Sequence, residues 1–436
     1  MTLLAPQSDT DADLLAALAV ELDAAQHSVG RMHDYYAGRH PLAFATPKFA
    51  EAFGGLFRTF ASNWCGLVVD VPRQRLRPTG FRFGDGPGDA DAWAIWQRNS
   101  LNAGSLLLHT EALVAGRAYA IVWADGAGRP RITPESASQC IALRDPASRL
   151  PVAALKRWEV PGGGLEARLF LLDRVVSYTA QAGATVSGWR RTNTVENLLG
   201  VVPVVEFGNR PTITGEGTSE LADVAPLQDA VNKLCTDMLV ASEFNSFKAR
   251  YLMVDRDAGR EAIDKMVAEL KAKSAAFQRY LVTTAGTSVG EFTESTLEGF
   301  VAAITLLTQH VATMTQTPPH YFFLRGEFPS GESIQSAEAG LVAKVEDKQV
   351  IFGESWERVM RLAFAVQGDA RAGAEDCETI WRDPRLRPEG VVVDAASKKF
   401  AMGVPLRQLL EDMGYSPQQQ ARILAEANPP LEVPVG

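Results

Sequence analysis

Two long segments in the second half of the chain place an apolar residue at every third or fourth position. Such spacing lines one face of a helix. At ~1.5 Å per residue each helix would be roughly 30–35 Å long, and Pro226 suits the first turn of the earlier one. Helices this long with one apolar face need neighbours, and we expect these to include other copies of the chain. The first stripe, within 219–247, holds Leu227, Val231, Leu234, Met238 and Leu239, and the second, within about 295–317, holds Leu297, Phe300, Val301, Ile304, Leu307, Val311 and Met314.

Helical patterns also occupy much of the first 116 residues. Residues 11–27 predict an amphipathic helix, with Thr10 and Asp13 at capping-box spacing, that ends within 32–41. Further helices are predicted over 48–71, ending near Pro72, and over 89–116.

The pattern then changes to period two, which is typical of strands. Tyr119, Ile121 and Trp123 alternate with smaller residues before a turn at 125–128, which predicts a hairpin. Another turn falls at 161–164. Because strand follows strand without helices between them, the sheet is expected to be antiparallel and the fold class α+β. Further strands are predicted at 152–158, 168–173, 175–179 and 201–207.

After Pro211 the chain reads as mostly helical, apart from an insert at 248–294. That insert predicts a short helix at 258–273 and strands near 250–254 and 279–283. Pro318 and Pro319 should end the second striped helix, because proline lacks the N–H donor and clashes with the preceding turn. A polar loop and a third long helix follow, then a short strand near 379–381, helices at about 393–402 and 405–413, and a loose tail at 429–436. The third helix should bury Leu341, Val345, Phe352, Trp356, Val359 and Leu362.

Composition narrows the function classes. The 436 residues are 46% hydrophobic and 22% charged, as in ordinary folded proteins, and no run approaches the ~20 apolar residues of a membrane span. We therefore expect no membrane insertion, and the N-terminus has no signal-peptide pattern. Four cysteines without a Cys-x-x-Cys pair fit a reducing compartment. The net charge of −9 implies that any nucleic acid would be held weakly or allowed to slide.

The candidate chemistry gives no sign of catalysis, a metal or a cofactor. No histidine has metal-ligand spacing, and His33, Asp34 and His40 fit a solvated helix end better than a ligand set. The glycines at 84–88 read as a turn and not as a phosphate-binding loop. Those at 215–219 precede a helix for which Thr218 or Ser219 would be the N-cap, and Ser62-Asn63-Trp64-Cys65 reads as helix interior.

The charges of the striped segments differ from those of the insert. The first segment carries five acids against Lys233, and the second carries Glu298, with Glu294 just before it. Acidic walls repeated around a channel would repel phosphate, although a solvated helix face explains them equally well. The insert holds eight bases and seven acids, which suits a docking surface or simply a charged loop domain. The five acids are Glu220, Asp223, Asp229, Asp237 and Glu243.

The order of these parts resembles the portal proteins of tailed bacteriophages, and in particular the branch common in phages of actinobacteria. The likeness spans roughly residues 30–415. It lies in short stretches whose order and spacing, more than any single motif, make it specific. They are Tyr35-Tyr36-Ala37-Gly38 with Pro41-Leu42, the run 63–70, Arg75-Leu76, Gly80-Phe81, Gly116-Arg117-Ala118-Tyr119 with Trp123-Ala124-Asp125, Glu135-Ser136, Pro318-Pro319-His320, 329–333 and 337–341.

This resemblance implies a ring, typically a dodecamer, at one capsid vertex, through which double-stranded DNA is packaged and ejected. The implied location is the virion, with assembly in the cytoplasm of the host bacterium. The implied partners are the terminase, a head-completion adaptor, and capsid and scaffolding proteins. Mapped by order, the parts would be an N-terminal wing at 1–218, stem helices at 219–247 and 295–317, a clip at 248–294, a tunnel loop and C-terminal wing at 318–389, and a crown and tail at 390–436.

The resemblance also implies the functional residues. A tunnel loop over 325–336 would touch DNA without reading its sequence, and the long wing helix would follow over 337–366. Without the resemblance, a surface loop explains the same residues. The implied tunnel-loop residues are Arg325, Gly326, Glu327, Ser330, Gly331 and Glu332, and the implied docking residues of the clip are Arg256, Arg260, Lys265, Lys271 and Lys273.

Two rival interpretations remain open from the sequence. One is an enzyme whose acidic residues act at an unrecognised site in the sheet region. The other is a different head–tail connector or capsid component. A Walker-type nucleotide loop does not occur in the chain, so a packaging ATPase would be a separate protein.

Overall fold

The computed structural model divides the chain into two compact units. The first comprises 1–37, 64–224 and 315–436, and the second comprises 38–63 and 225–314. The residues that the structure describes are 11–40, 51, 62–84, 86, 88–181, 188–213, 217–246, 250–254, 260–261, 264–265, 268, 280–284, 288–291, 297–322, 331–385 and 387–427.

The first unit combines helices with three sheets. Its helices are α1 (Asp11–Tyr36), α2 (Trp64–Arg75), α3 (Ala90–Arg98), α4 (Leu101–Ala115), α7 (Gly331–Gln367), α8 (Glu389–Ala401), α9 (Leu406–Asp412) and α10 (Pro417–Ala427). Its strands are β1 (Pro78–Phe83), β2 (Arg117–Ala124), β3 (Pro130–Ser136), β4 (Cys140–Arg144), β5 (Pro151–Val160), β6 (Gly164–Leu171), β7 (Arg174–Gln181), β8 (Arg190–Glu196), β9 (Val204–Gly208) and β13 (Cys377–Trp381).

An antiparallel sheet in the order β4-β5-β6-β7-β8 forms the middle layer of this unit. One face packs on α1, where Leu15, Leu18 and Leu22 meet apolar residues of the sheet. The opposite face packs on a second sheet, ordered β3-β2-β9. The predicted α+β class with an antiparallel sheet is confirmed, because hairpin turns connect β5, β6 and β7 in sequence.

An aromatic core lies between α4 and α7. Trp356 of α7 packs edge-on against Trp96 and Phe207, with ring centroids 4.8 Å apart in both pairs. His109 of α4 stacks on Phe352 and accepts a 3.0 Å hydrogen bond from the Trp356 indole nitrogen. Burial lowers the pKa of His109 to about 3, so the ring is neutral. All six residues predicted to be buried on the third long helix are buried.

The structure corrects several predicted boundaries. The predicted helix over 89–116 is two helices, because Asn99 bonds the carbonyls of Ile95 and Pro130 through its side chain and Ser100 adopts a left-handed φ of 54°. Helix α2 continues past Pro72 to Arg75, since proline near the last turn removes only one helical donor. Strands β1, β4 and β8 were not predicted. Strand β1 pairs with β13, a partner about 300 residues away that local periodicity cannot reveal.

The second unit contains both striped helices, α5 (Ala225–Ser246) and α6 (Glu298–Thr315). It also holds a small sheet of β10 (Arg250–Val254), β11 (Tyr280–Thr284) and β12 (Ser288–Glu291), in which β10 pairs in parallel with β11 and antiparallel with β12. The two strands predicted in the insert are confirmed. The described residues 260–261, 264–265 and 268 are helical, as the prediction for 258–273 requires.

Candidate functional site

Helix α5 buries a face different from the one its apolar stripe predicts. Gln228, Asn232 and Thr236 are buried at intervals of four residues. Of the predicted stripe only Val231 is fully buried, while the other members are half-buried. Part of this polar face is bonded internally, since the Gln228 amide donates to the Ser62 carbonyl oxygen over 2.7 Å and the Thr236 hydroxyl donates to the Asn232 carbonyl oxygen over 2.9 Å.

His40 belongs to this buried polar layer. Its Nε2 lies 2.8 Å from the Asn232 amide nitrogen, and the ring is 4% exposed. The interpretation of residues 33–40 as a solvated helix end is therefore wrong for His40. His33 instead pairs with Glu111 over 3.2 Å. Among the described residues, no three His, Cys, Asp or Glu side chains are grouped to hold a metal ion.

Helix α6 leaves most of its apolar stripe exposed or only half-buried within one chain. Val311 is fully buried, whereas Val301 and Met314 are exposed and the other stripe residues are half-buried. Leu306, on the same helix, is 53% exposed. The helix ends at Thr315, before Pro318 as predicted, and Gln316 turns the chain with a left-handed φ of 54°.

The acidic residues expected along the first striped helix do not form one wall. Glu220 and Asp223 belong to the first unit and precede α5, which begins at Ala225 with Pro226 in its first turn, as predicted. Asp223 pairs with Arg210 over 3.1 Å. Within α5, Asp237 pairs with Lys233 one turn away and Asp229 is largely buried. The side chain of Glu243 lies outside the described residues.

Glu220 forms the centre of a buried charged cluster. Its two carboxylate oxygens lie 2.5 Å from Nζ of Lys344 and Nζ of Lys348, one turn apart on α7. Asn209 donates to the carboxylate over 3.0 Å and accepts from Lys348 over 2.6 Å. Burial alone would raise the pKa of Glu220, but the two ammonium groups outweigh it and hold the pKa at about 2. The carboxylate is therefore charged, and the cluster holds two cations and one anion.

The cluster lies where the backbone around Asn209 hydrogen-bonds to both Gly116 and Thr218. The Asn209 N–H donates to the Gly116 carbonyl oxygen over 2.8 Å, and the Thr218 N–H donates to the Asn209 carbonyl oxygen over 2.6 Å. A Cβ atom on Gly217 would lie 2.0 Å from the Gly116 oxygen, so only glycine fits. The prediction that Thr218 or Ser219 is the N-cap is wrong, because α5 begins at Ala225, six residues after Ser219. The Ser219 hydroxyl instead accepts from the Leu221 N–H.

The predicted tunnel loop falls largely outside the described residues, which include neither Arg325 and Gly326 nor Glu327 and Ser330. Gly331 and Glu332 begin α7, so the helix starts six residues before the predicted 337 and the loop boundary at 336 is wrong. No proline or glycine interrupts residues 332–339, and the helix therefore extends back to Gly331.

The segments before and after residues 323–330 both contribute to one buried cluster around the ion pair of Arg75 and Glu338. Arg75 donates to Glu338 over 3.1 Å and to the Tyr321 hydroxyl over 3.0 Å. The Tyr321 hydroxyl also donates to Glu338 over 3.2 Å, and Arg75 donates to the Pro384 carbonyl oxygen over 3.1 Å. The sequence analysis did not identify Glu338 and Tyr321. They lie 263 and 246 positions after Arg75, and no local pattern connects residues so far apart.

The clip residues are only partly described. Arg260 and Lys265 are exposed, as a docking surface requires, while Arg256, Lys271 and Lys273 lie outside the described residues. No described helix is long and apolar enough to cross a membrane.

Comparison with known proteins places the chain in a family. The family model described as "Phage portal protein, SPP1 Gp6-like" matches residues 28–428. The portal protein of Mycobacterium phage D29 is 29% identical over 379 residues, which cover 80% of this chain and 75% of that protein. The portal protein of Mycobacterium phage L5 is 28% identical over 383 residues, which cover 81% of this chain and 76% of that protein.

Two solved structures are also similar to this chain, at lower sequence identity. "Neck of native GTA particle computed with C12 symmetry" has a TM-score of 0.46 and 11% identity, over 86% of this chain and 95% of that one. "Neck of empty GTA particle computed with C6 symmetry" has a TM-score of 0.40 and 14% identity, over 77% of this chain and 78% of that one. The family model spans nearly the whole sequence, and the chain belongs to the phage portal protein family.

Proposed function

We propose that twelve copies of this chain form a ring at one vertex of a phage capsid and enclose the channel through which double-stranded DNA enters and leaves. In this proposal α5 and α6 are the stem, the insert at 248–294 is the clip, and 323–330 with its flanks is the tunnel loop. The chain acts in the virion after assembly in the bacterial host.

The observation that carries this proposal is the uncovered apolar surface of the two striped helices. Leu306 and Met314 are 53% and 57% exposed, and the α5 stripe apart from Val231 is only half-buried. Exposed apolar stripes of this length mark surfaces that another protein covers. A ring places an identical neighbour on each side of every subunit, so one pair of faces covers all the stripes.

Charge supports a conduit that does not hold DNA tightly. A net charge of −9 per chain multiplied around a ring opposes phosphate binding. Arg325 is the proposed cationic contact of the tunnel loop, and Glu327 and Glu332 limit its grip. Contacts of this kind are independent of base sequence.

The insert is the proposed docking surface for other components. Its charges are mixed, with Arg260 and Lys265 exposed, and exposed charges can steer association with a complementary surface. The terminase would bind here during packaging and the head-completion adaptor afterwards, while capsid and scaffolding proteins would contact the first unit. The chain has a structural role in this proposal, and ATP hydrolysis is performed by the terminase.

Assembly is tested by light scattering and negative-stain imaging of the purified chain. The wild-type protein should form rings with a central hole. Leu306→Glu should give smaller species with unchanged circular dichroism, because a buried unpaired carboxylate disfavours the interface. Gln309→Glu, at an exposed position of the same helix, is the matched control and should form rings. A monomeric wild-type protein, or intact Leu306→Glu rings, would contradict the stem assignment.

DNA transit is tested separately by removing 326–330, which spares the start of α7. Rings should form normally while packaging or retention of DNA falls. Loss of rings in this variant would contradict the tunnel-loop assignment without affecting the stem assignment. A purified ring that hydrolyses nucleotides or cleaves DNA would instead favour the enzyme interpretation.

A further inference from the structure

The five-stranded sheet ends in an exposed edge strand. All seven residues of β8 are exposed, and among the described residues the strand pairs only with β7. A free edge presents unpaired N–H and C=O groups, which can pair with an added strand. Proteins that leave such an edge uncovered often use it to bind extended peptides.

A cleft of about 380 Å³ opens beside this edge, between the five-stranded sheet and the β2–β3 hairpin. Two cross-strand rows form its floor and both end on β8. The registers of the sheet place the members of each row directly opposite one another. The polar row is Lys156, Arg168, Ser177 and Asn193, and the apolar row is Phe170, Val175 and Val195.

The cleft carries unbalanced positive charge. Lys156 is paired with Glu135 over 2.5 Å, and Asp125 is paired with Arg129 over 3.0 Å. Arg131 and Arg168 also line the cleft, and within the described part of the chain neither forms a salt bridge. The Arg168 guanidinium lies 5.6 Å from the centre of the Trp158 ring, which holds it over the sheet.

The edge strand itself continues this charge pattern. Arg190 stands opposite Thr179 and Asn193 opposite Ser177, because a bulge in β8 between them shifts the register by one residue. Thr179 and Ser177 lie two residues apart, so Arg190 and Asn193 share the face of the sheet that forms the cleft. An added sixth strand would therefore meet cations at one end of this face and Val195 at the other.

We propose that the β8 edge and its cleft bind an acidic, extended segment of another protein, which adds to the sheet as a sixth strand. Alternate side chains of that segment face the cleft. Two neighbouring carboxylates on that face are attracted to Arg168 and Arg190, and an aliphatic side chain at the other end extends the row ending at Val195. Backbone hydrogen bonds to β8 supply affinity, and the charge pattern supplies specificity.

A second copy of this chain is a poorer occupant. Two β8 edges pairing with each other form a two-fold contact, which closes at a dimer and does not propagate around a ring. Phosphate groups of DNA share the negative charge but lack a strand backbone, so amide protection of β8 distinguishes the two ligands.

The test uses the full-length protein and a fluorescein-labelled peptide, Thr-Val-Thr-Glu-Thr-Glu-Thr, which places the valine and then both glutamates on one face of a strand, in the order of Val195, Arg168 and Arg190. Anisotropy should show saturable binding below about 100 μM. Hydrogen exchange should slow at residues 190–196 when the peptide is bound. A peptide with lysine for glutamate and a peptide with proline at two threonines are the controls, and neither should bind.

Arg168→Glu should weaken peptide binding about tenfold, because charge reversal replaces attraction by repulsion. Arg407→Glu is the matched control, since Arg407 is exposed on α9, and should change affinity less than about twofold.

Four outcomes would overturn the proposal. They are no peptide binding, binding without protection of 190–196, equal binding by Arg168→Glu and wild type, and an equal response to a DNA oligonucleotide with the same protection. A peptide-dependent change in oligomeric mass would show that the edge is occupied by another copy instead. None of these outcomes depends on ring formation or on DNA transit.

Discussion

Replacing Glu220 with glutamine tests whether the buried charged cluster holds α7 in place. The substitution keeps the shape of the side chain but removes its charge. Lys344 and Lys348 then remain close together without an anion between them, and Lys348 is 4% exposed. Removing one partner of a buried pair is costly because the remaining charge stays desolvated.

The pKa of Glu220 gives the size of the effect. Its value falls from 4.5 to about 2 on folding, which corresponds to about 3 kcal/mol of stability at neutral pH. Because the pKa in the folded chain lies below the unfolded value, this stability is present above pH 4.5 and is lost as the pH falls toward 2. Glu220→Gln should therefore lower the free energy of unfolding by about 3 kcal/mol at pH 7.

Lys348→Met should have a smaller effect, about 1 kcal/mol. Two ammonium groups share one carboxylate, so removing Lys348 leaves a balanced pair of Lys344 and Glu220. Glu220→Gln should therefore cost more stability than Lys348→Met, because the cluster has one more cation than anion. This order holds whatever the exact size of each loss.

The assay is denaturant unfolding at fixed protein concentration, followed by tryptophan fluorescence, since Trp356 lies on the same helix as both lysines. Glu378→Gln is the control, because Glu378 is 62% exposed beside Arg82, and it should change stability by less than about 0.5 kcal/mol. A loss below about 1 kcal/mol for Glu220→Gln, or a greater loss for Lys348→Met, would refute this account of the cluster.

Three further predictions concern other buried contacts. Burial lowers the pKa of His109 to about 3. The stability that the neutral ring contributes is therefore complete above pH 6.5, and about 2 kcal/mol of it is lost at pH 5. His109→Gln should flatten that part of a curve of unfolding free energy against pH. Gly217→Ala should prevent correct folding. Gly30→Ala has open space around its Cβ position and should stabilise α1 by up to about 1 kcal/mol. Thermal unfolding of the two variants measures both effects. Arg75→Ala leaves Glu338 buried without its cation and should lower the free energy of unfolding by about 3 kcal/mol, measured by the same denaturant assay; a loss equal to that of a surface arginine would contradict this.

The apolar period predicted the existence of the long helices but not which face of α5 is buried. The period shows where apolar residues lie, but in one chain most of the stripe is half-buried, while Gln228, Asn232 and Thr236 are buried and bond to the backbone or to His40. The mismatch has a physical reason in the proposed ring, since the stripe would be covered by a neighbouring subunit.

Long-range contacts were beyond the reach of the sequence. Glu220 looked like one acid among five on a helix, and only the fold brings it to Lys344 and Lys348, more than 120 positions away. The reason for Gly217, a close approach to the Gly116 carbonyl oxygen, depends on a crossing that no local pattern encodes.

Helix α7 limits how the first unit can change shape. Its 37 residues span about 55 Å, and it is attached at three levels, through Glu338, through the lysines around Glu220, and through Trp356. A stiff rod attached at three points cannot pivot about any one of them. A rearrangement that tilts α7 must therefore break the Glu220 cluster, whereas movement before Glu338 leaves all three attachments intact.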